Sequence, residues 1–288
     1  MNPIPVRAGL PALYRALSYG RPACQALIAP QAVALACGGR ARPLVQQGRH
    51  SSGSLEQQFS AAVADFFQLV DAAGLHGRRW NVRVSEYWAR PLVLPMQGPL
   101  PGDDEVDIVL ASQYRRIYGD LMAGWYWCWD WQHHQILAVA WPQVGLNALR
   151  EGIHQRGGVL ASAKSLCMEV ASEAMQDKTS SWLALIEQQS LTLVRQHNGL
   201  WQDWCVTPLH DDVEVSLPLQ LAREAARRQD DCRVLTLVDL KGMSPVVALR
   251  QALTDTGWSV RVWVCPAAQA RTSVACRLTQ AIAMGACA

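Results

Sequence analysis

The feature that most constrains this chain is a run of four tryptophans at alternate positions: Trp125, Trp127, Trp129 and Trp131. A β-strand repeats every two residues, so the four rings are expected on one face of a single strand. A polar turn at 132–135 and a second apolar run, Ile136 to Trp141, follow and predict a β-hairpin. Such a stripe buries on the order of 150 Å² per ring. It either packs under a helix of the same chain or forms a docking surface for a partner.

Composition indicates a folded protein with a substantial core. Of the 288 residues, 50% are hydrophobic and 17% are charged, which argues against disorder. The nine cysteines include no C-x-x-C pair, which favours a reducing, cytoplasmic compartment. The sequence contains no apolar run of 18 residues or more, so we expect no membrane span.

Positive charge is concentrated at the N-terminus. Six arginines precede the first acidic residue, Glu56, although the whole chain carries a net charge of only +2. We expect residues 1–22 to form a basic N-terminal segment, which either contacts acidic lipid or an acidic partner or is simply solvated. Peripheral association of a cytoplasmic protein with the inner membrane is therefore an open alternative.

Hydrophobic periodicity predicts mixed α/β structure in both halves of the chain. The first half is predicted to contain a hairpin at 23–37, a helix from Ser54 to Gly74, strands at 80–85 and 90–94, a helix from Asp103 to about Gly119 or Gly124, the tryptophan hairpin, a helix at 144–156, and strand and loop at 159–170. The second half is predicted to contain a three-stranded meander over 182–208, helices at 217–228 and 245–254, and strands at 234–240 and 260–265.

Each half thus begins with antiparallel strands and continues with alternating helix and strand. This order predicts two lobes of mixed sheets covered by helices. It resembles the actin-like (ribonuclease-H-like) two-lobe fold, with a first lobe at 23–180 and a second lobe at 181–288.

Local motifs add a second resemblance. The sequence resembles the cytoplasmic actin-like domains of the type II secretion L component and the type IV pilus M component in three places. Residues 81–95 resemble a pair of strands of those domains, and residues 114–125 resemble the helix and the strand start that follow. Residues 182–201 resemble the opening hairpin of their second lobe. The resemblance implies an inner-membrane assembly platform that binds neighbouring subunits and couples to a motor ATPase. The membrane span of the L component has no counterpart in this sequence, so we expect a protein more like the pilus M component, or a divergent relative.

The same resemblance locates where Mg·ATP would bind between the lobes of an actin-like ATPase. Phosphate hairpins of that class need glycine and acidic residues. The first hairpin here reads Ala29-Pro30-Gln31, without either, and the second offers only Glu187. The turn on the adenosine side would be Leu240-Lys241-Gly242, which contains one glycine and directly follows Asp239. We expect a degenerate ATPase fold without catalytic residues; Mg·ATP bound by Glu187, Asp239 and Gly242 is the alternative.

Other residue clusters predict less. Cys128, Asp130, His133 and His134 lack a standard metal-ligand spacing, so no metal site is predicted, although a zinc enzyme at the hairpin end is a third hypothesis. The acidic run at 103–107 is explained as a helix start. Arginine pairs at 115–116 and 227–228 have acids nearby, which argues against nucleic-acid binding.

The sequence therefore supports three hypotheses in order. The first is a non-catalytic scaffold subunit of a type IV pilus or type II secretion-like platform, which binds partners through the tryptophan face or a sheet edge and could form oligomers. The second is an actin-like ATPase or kinase that uses Glu187 and Asp239. The third is the zinc enzyme.

Overall fold

A computed structural model describes residues 23–37, 43–48, 53–96, 102–132, 134–175, 180–187, 189–209, 212–239 and 246–263. The basic segment 1–22 and Gly242 lie outside these ranges. Within the described residues, no helix is both long enough and apolar enough to cross a membrane.

The described residues form thirteen strands and six α-helices. In chain order the strands are β1 (Cys24–Ala29), β2 (Ala32–Ala36), β3 (Leu44–Gln47), β4 (Arg79–Val84), β5 (Arg90–Pro95), β6 (Trp125–Gln132), β7 (Gln135–Pro142), β8 (Val159–Ser165), β9 (Ser181–Ile186), β10 (Ser190–His197), β11 (Leu200–Pro208), β12 (Val234–Asp239) and β13 (Ser259–Val262). The helices are α1 (Leu55–Ala72), α2 (Asp103–Tyr118), α3 (Gln143–Gln155), α4 (Leu166–Ala174), α5 (Val213–Arg228) and α6 (Val246–Asp255).

Two five-stranded sheets share one topology. The first has the order β3-β2-β1-β4-β8 and the second the order β11-β10-β9-β12-β13. In each sheet the three strands that come first in the chain pair antiparallel, and the two later strands run parallel to the first. This duplication is the pattern that the sequence predicted for two lobes. The two sheets lie on either side of residue 180, which we keep as the proposed boundary between the lobes.

A third, three-stranded sheet is inserted into the first lobe. Its order is β5-β7-β6, and both pairings are antiparallel. These strands and α2 occupy the chain between β4 and α3, and we call them the inserted unit. Strands β4 and β5, which the sequence predicted to pair with each other, therefore belong to different sheets. The predicted pairing of these two strands is wrong.

Local signals account for most element ends. Ser54 caps α1 and forms a capping box with Gln57. The β10–β11 turn is Asn198-Gly199, and both residues have positive φ, at 52° and 80°, as the sequence predicted for a tight hairpin. The segment 159–170, predicted as strand and loop, continues into α4, which Ser165 caps through Met168 N.

The lobes share one continuous apolar core. Leu183, Leu185 and Val238 of the second lobe belong to the same buried cluster as Val84 and Trp88 of the first. Burial of apolar surface across the junction favours a fixed arrangement of the two lobes. The second lobe also has its own cluster between its sheet and helices α5 and α6.

Helix α3 lies unusually close to α1. A Cβ added at Gly145 would be 2.2 Å from the ring of Phe59, and one added at Gly152 would be 2.2 Å from the ring of Phe67. Both glycines are therefore required by the close approach of the two helices. This packing holds the helix layer against the first sheet.

Candidate functional site

The C-terminal ends of three strands meet where the two lobes join. Strand β4 ends directly before Ser85 and Glu86, β8 ends at Ser165, and β9 ends directly before Glu187. The backbone N–H of Ser85 donates to Ile28 O at 2.9 Å, which ties this position to the β1–β2 hairpin. All four side chains are buried. We call these four residues the junction cluster.

Glu187 is hydrogen-bonded to both lobes. Its Oε1 accepts a hydrogen bond from Ser85 Oγ at 2.5 Å, across 102 positions of sequence. Its Oε2 accepts one from Ser190 Oγ at 3.0 Å, and its backbone N–H donates to Ser190 O at 2.9 Å. Burial raises the pKa of the Glu187 carboxyl, against the lowering effect of these hydrogen bonds. Both carboxyl oxygens are thus used inside the protein.

Glu86 is a second buried carboxyl in the junction cluster. Its Oε1 accepts hydrogen bonds from Ser165 Oγ and from Cys167 N, the latter at 2.8 Å. Its Oε2 is buried and has no hydrogen-bond partner. Burial, and to a smaller degree the charge of Glu187, raise the pKa of Glu86 to about 8. The side chain is therefore mostly a neutral acid at pH 7.

Sequence reasoning identified Glu187 but missed the other three residues of the junction cluster. The available signal was the position of each polar residue immediately after or at the end of a strand. Carboxyl ends of strands commonly face the crevice of an α/β protein. The order of strands in the sheets determines which strand ends lie together. That order could not be predicted from the sequence.

The structure brings two of the three predicted nucleotide residues close together in the backbone. Asp239 ends β12 and is paired in parallel register with Ile186, the residue before Glu187. Asp239 is half-buried. Gly242, the third residue, lies outside the described ranges.

The first hairpin offers little to a phosphate group. Pro30, in the β1–β2 turn, has no backbone N–H to donate. Ala29 is buried, and neither it nor Gln31 supplies an acid for a metal. Among the described residues no cluster of three or more His, Cys, Asp or Glu side chains is arranged to hold a metal ion. Of the proposed zinc residues, His133 lies outside the described ranges.

The four tryptophan rings pack against α2. They lie against a buried cluster built from α2 and β7: Val106, Leu110, Tyr114, Ile136, Ala138 and Ala140. Each of the four residues is half-buried, whereas Cys128 and Asp130 on the opposite face of the strand are exposed. Of the two interpretations that the sequence left open, the structure therefore places a helix over this face.

Polar contacts fix the rings in this packing. Asp107 Oδ1 on α2 accepts a hydrogen bond from Trp127 Nε1 at 3.2 Å and another from Trp129 Nε1 at 3.1 Å. The ring of Trp127 also stacks on that of Tyr114, with centroids 5.8 Å apart. The acidic start of α2, which the sequence explained by capping, thus also anchors the stripe.

Comparison with known proteins gives a match in structure alone. No protein-family profile and no curated protein matches the sequence. A protein of Bacteroides thetaiotaomicron with an actin-like ATPase fold and unknown function superposes with a TM-score of 0.61 at 9% identity, over 96% of this chain and 99% of that one. The PilM-PilN type IV pilus biogenesis complex superposes with a TM-score of 0.60 at 16% identity, over 92% of this chain and 98% of that one.

The chain has the actin-like fold. The duplicated sheet order agrees with this assignment, and the predicted fold class is confirmed. The resemblance to the pilus M component is confirmed as a resemblance of fold. The cytoplasmic domain of EpsL, an inner membrane component of the type II secretion system of Vibrio cholerae, is more distant, with a TM-score of 0.49 at 9% identity over 91% of this chain and 94% of that one.

Proposed function

We propose that this chain is a non-catalytic scaffold subunit of a type IV pilus or type II secretion-like assembly platform. It acts on the cytoplasmic side of the inner membrane and binds neighbouring subunits of the machine. The basic segment 1–22 provides peripheral contact with acidic lipid or with an acidic partner. The likeness in fold to PilM, solved in complex with PilN, supports this class of function.

The observation that carries the proposal is the engagement of Glu187. An actin-like ATPase needs its acidic side chains free for metal and water between the lobes. Here the Glu187 carboxyl accepts hydrogen bonds from Ser85 of one lobe and Ser190 of the other. The apolar core that spans the junction supports the same conclusion, because a nucleotide-driven cycle requires the lobes to move. The site thus serves to hold the lobes together.

We expect titration calorimetry with Mg·ATP to give no saturable binding up to about 1 mM nucleotide. The reason is that the Glu187 carboxyl would have to give up two buried hydrogen bonds to meet a metal. Glu187→Gln should give the same flat titration, and Glu151→Gln, at an exposed position of α3, is the matched control. Saturable heat in the wild type that disappears in Glu187→Gln alone would favour the alternative, an ATPase or kinase that uses Glu187, Asp239 and Gly242.

Partner binding is proposed for the inserted unit, with the stripe Trp125, Trp127, Trp129 and Trp131 as its aromatic component. The rings keep part of their surface exposed beside α2. Trp131 lies at the hairpin end, edge-on to Trp129 with ring centroids 5.9 Å apart. Tryptophan is enriched among the residues that contribute most of the binding energy in protein interfaces.

Trp131→Ala tests this surface. We expect recovery of inner-membrane pilus or secretion subunits by copurification from native cells to fall about tenfold or more, the effect of losing one anchor residue. Val247→Ala, at a 79% exposed position of the second lobe, should leave recovery unchanged. Thermal unfolding of both variants checks that they are folded. Full recovery with a folded Trp131→Ala protein would show that the stripe is not the docking surface.

A further inference from the structure

Strand β6 forms a long, free edge of the inserted unit. In the sheet order β5-β7-β6 it pairs on one side only, with β7. Its eight residues contain no proline, lysine or arginine, and they pair with β7 one to one, without a bulge. Within the described residues, no backbone hydrogen bond reaches β6 from outside its own sheet. An edge of this kind is a template for the addition of another strand.

The other edge strands of the described sheets each carry a feature that hinders such pairing. Strands β3 and β13 have only four residues each, and β5 contains Pro91 and Pro95. The pairing of β8 with β4 contains a register shift, and β8 carries the exposed Lys164. The pairing of β11 with β10 is also shifted, and β11 ends at Pro208. Short length, proline, bulges and lysine are the means by which natural sheets avoid edge-to-edge association. Of the six edges in the described sheets, only β6 is long, regular and free of proline.

The backbone groups on the free edge of β6 belong to the tryptophans. Opposed residues of an antiparallel pair alternate between hydrogen-bonded and non-hydrogen-bonded positions. Trp125 is paired with Pro142, which has no N–H, and the N–H of Trp131 donates to Asp130 Oδ1 of its own strand at 2.8 Å. Both observations place the tryptophans at the non-hydrogen-bonded positions opposite β7. Their N–H and C=O groups therefore point outward, towards any added strand.

A second β6 fits this edge in antiparallel orientation. With the two-fold axis at Cys128, Trp127 of each copy lies opposite Trp129 of the other, and Trp125 lies opposite Trp131. These pairs exchange the outward hydrogen bonds, and the half-buried rings cover one another across the new strand pair. We propose that the free edge of β6 is occupied by β6 of a second copy of this chain, so that the two inserted units form one continuous sheet.

The opposite face of β6 favours the same register. There Asp130 of each copy lies opposite Tyr126 of the other. Arg150, an exposed residue of α3, lies near Tyr126: burial raises the pKa of the Tyr126 hydroxyl, and the charge of Arg150 acts against this rise. The Asp130 carboxylate of each copy is thus brought to the Arg150 guanidinium of the other. A register shifted by two residues would place Asp130 opposite Cys128 or Gly124 and lose this charge pairing.

The dimer is expected to exchange with monomer at micromolar concentrations. Strand addition takes its affinity from main-chain hydrogen bonds. The half-exposed surface of four tryptophan rings adds on the order of 300–500 Å² of apolar contact per copy, besides the strand edge itself. We therefore expect a dissociation constant of about 1 to 100 μM. The inference rests on the partner-binding role of the inserted unit only in that both use the stripe. Self-association of the purified chain and copurification of other subunits can fail independently.

Sedimentation velocity over a concentration series tests the dimer. The wild type should change from monomer to dimer as its concentration rises. Cys128→Lys places two ammonium groups opposite each other at the axis and should raise the dissociation constant about tenfold or more. Gln47→Lys, at an exposed position of the edge strand β3, is the control and should dimerise normally. A wild type that stays monomeric up to about 500 μM, or a dimer that Cys128→Lys leaves intact, overturns the proposal.

Thiol oxidation tests the register. Opposed residues at a non-hydrogen-bonded position have Cα atoms about 4.5 Å apart, which is within the range of a disulfide. Cys128 is exposed and is a free cysteine. Copper phenanthroline should convert the wild type into a covalent dimer that dithiothreitol reverses, and Cys128→Ser should dimerise without the cross-link. A dimer in sedimentation that gives no cross-link through Cys128 overturns the two-fold register.

Charge reversal gives a second test that leaves the strand backbone unchanged. Asp130→Arg and Arg150→Asp should each weaken the dimer, because each brings like charges together across the axis. The double variant restores opposite charges and should regain at least part of the lost affinity. Thermal unfolding of each variant checks that it is folded. Single reversals that leave dimerisation unchanged, or a double variant weaker than both, overturn the pairing of Asp130 with Arg150.

Discussion

Glu86→Gln is expected to remove most of the loss of stability that the wild type undergoes between about pH 5 and pH 8. The pKa of Glu86 is raised from its ordinary value of 4.5 to about 8 by burial. Between these values the unfolded chain releases a proton that the folded chain retains, so the free energy of unfolding falls as pH rises. The contribution of this one group is on the order of 3–5 kcal/mol, fully favourable below pH 4.5 and lost by the time the pH passes 8.

Urea unfolding at several pH values measures this effect. A glutamine at 86 keeps an oxygen for Ser165 and Cys167 N but has no proton to lose, so the variant's stability should fall less steeply with pH than that of the wild type. Some dependence should remain because burial raises the pKa of Glu187 in the same direction. Glu151→Gln, at an exposed position, is the control and should behave like the wild type. Equal slopes for wild type and Glu86→Gln would contradict the burial of a neutral carboxyl.

Asp230→Ala is expected to lower the free energy of unfolding by about 3–5 kcal/mol. Asp230 forms an ion pair with Arg195, which is only 5% exposed. It also accepts hydrogen bonds from Trp182 Nε1 at 3.1 Å and from Cys232 N at 2.9 Å. Removing the carboxylate leaves a buried guanidinium without its counter-charge, the most costly way to break such a pair.

Chemical denaturation at pH 7 checks this prediction. Hydrogen bonds and the charge of Arg195 hold the pKa of Asp230 below its ordinary value, so the carboxylate is fully ionised there. Its stabilising contribution is present above the unfolded pKa and is lost as pH falls through the folded one. Asp231→Ala, one exposed position away, is the matched control.

A double variant separates the ion pair from simple packing. Arg195→Met with Asp230→Leu removes both charges and should cost less than Asp230→Ala alone. If Asp230→Ala is as stable as the Asp231→Ala control, the buried guanidinium of Arg195 does not need Asp230 as its counter-charge. A double variant that loses more than the single one would mean that the two side chains act mainly through their other hydrogen bonds.

Much of the secondary structure could be predicted because its causes are local. The capping box at Ser54 and Gln57, the Asn198-Gly199 turn and the alternation of the tryptophans each act over a few residues. The start of α5 is different. The periodicity predicts a start at 217, but the helix begins four residues earlier, at Val213, where Asp212 caps it, and Pro218 is accommodated in its second turn. A proline near a helix start removes one N–H without ending the helix.

The junction cluster could be predicted only in part. Glu187 stood out as an acid after a strand, whereas its partner Ser85 lies 102 residues away. Nothing in the neighbourhood of either residue indicates that their strand ends meet. That contact requires β4 and β9 to be interior strands of two sheets joined by a common core.

The tryptophan stripe could likewise be predicted only in part. Strand alternation alone puts Trp125, Trp127, Trp129 and Trp131 on one side of β6, because successive side chains of any strand point to opposite faces. Which face is covered, and by what, depends on the fold around it. Helix α2 packs on this face: Asp107 accepts hydrogen bonds from the indoles of Trp127 and Trp129, and buried α2 side chains contact the rings. The side of β6 on which the rings lie follows from the order of consecutive residues. The helix that packs on them is set by contacts between segments distant in the chain.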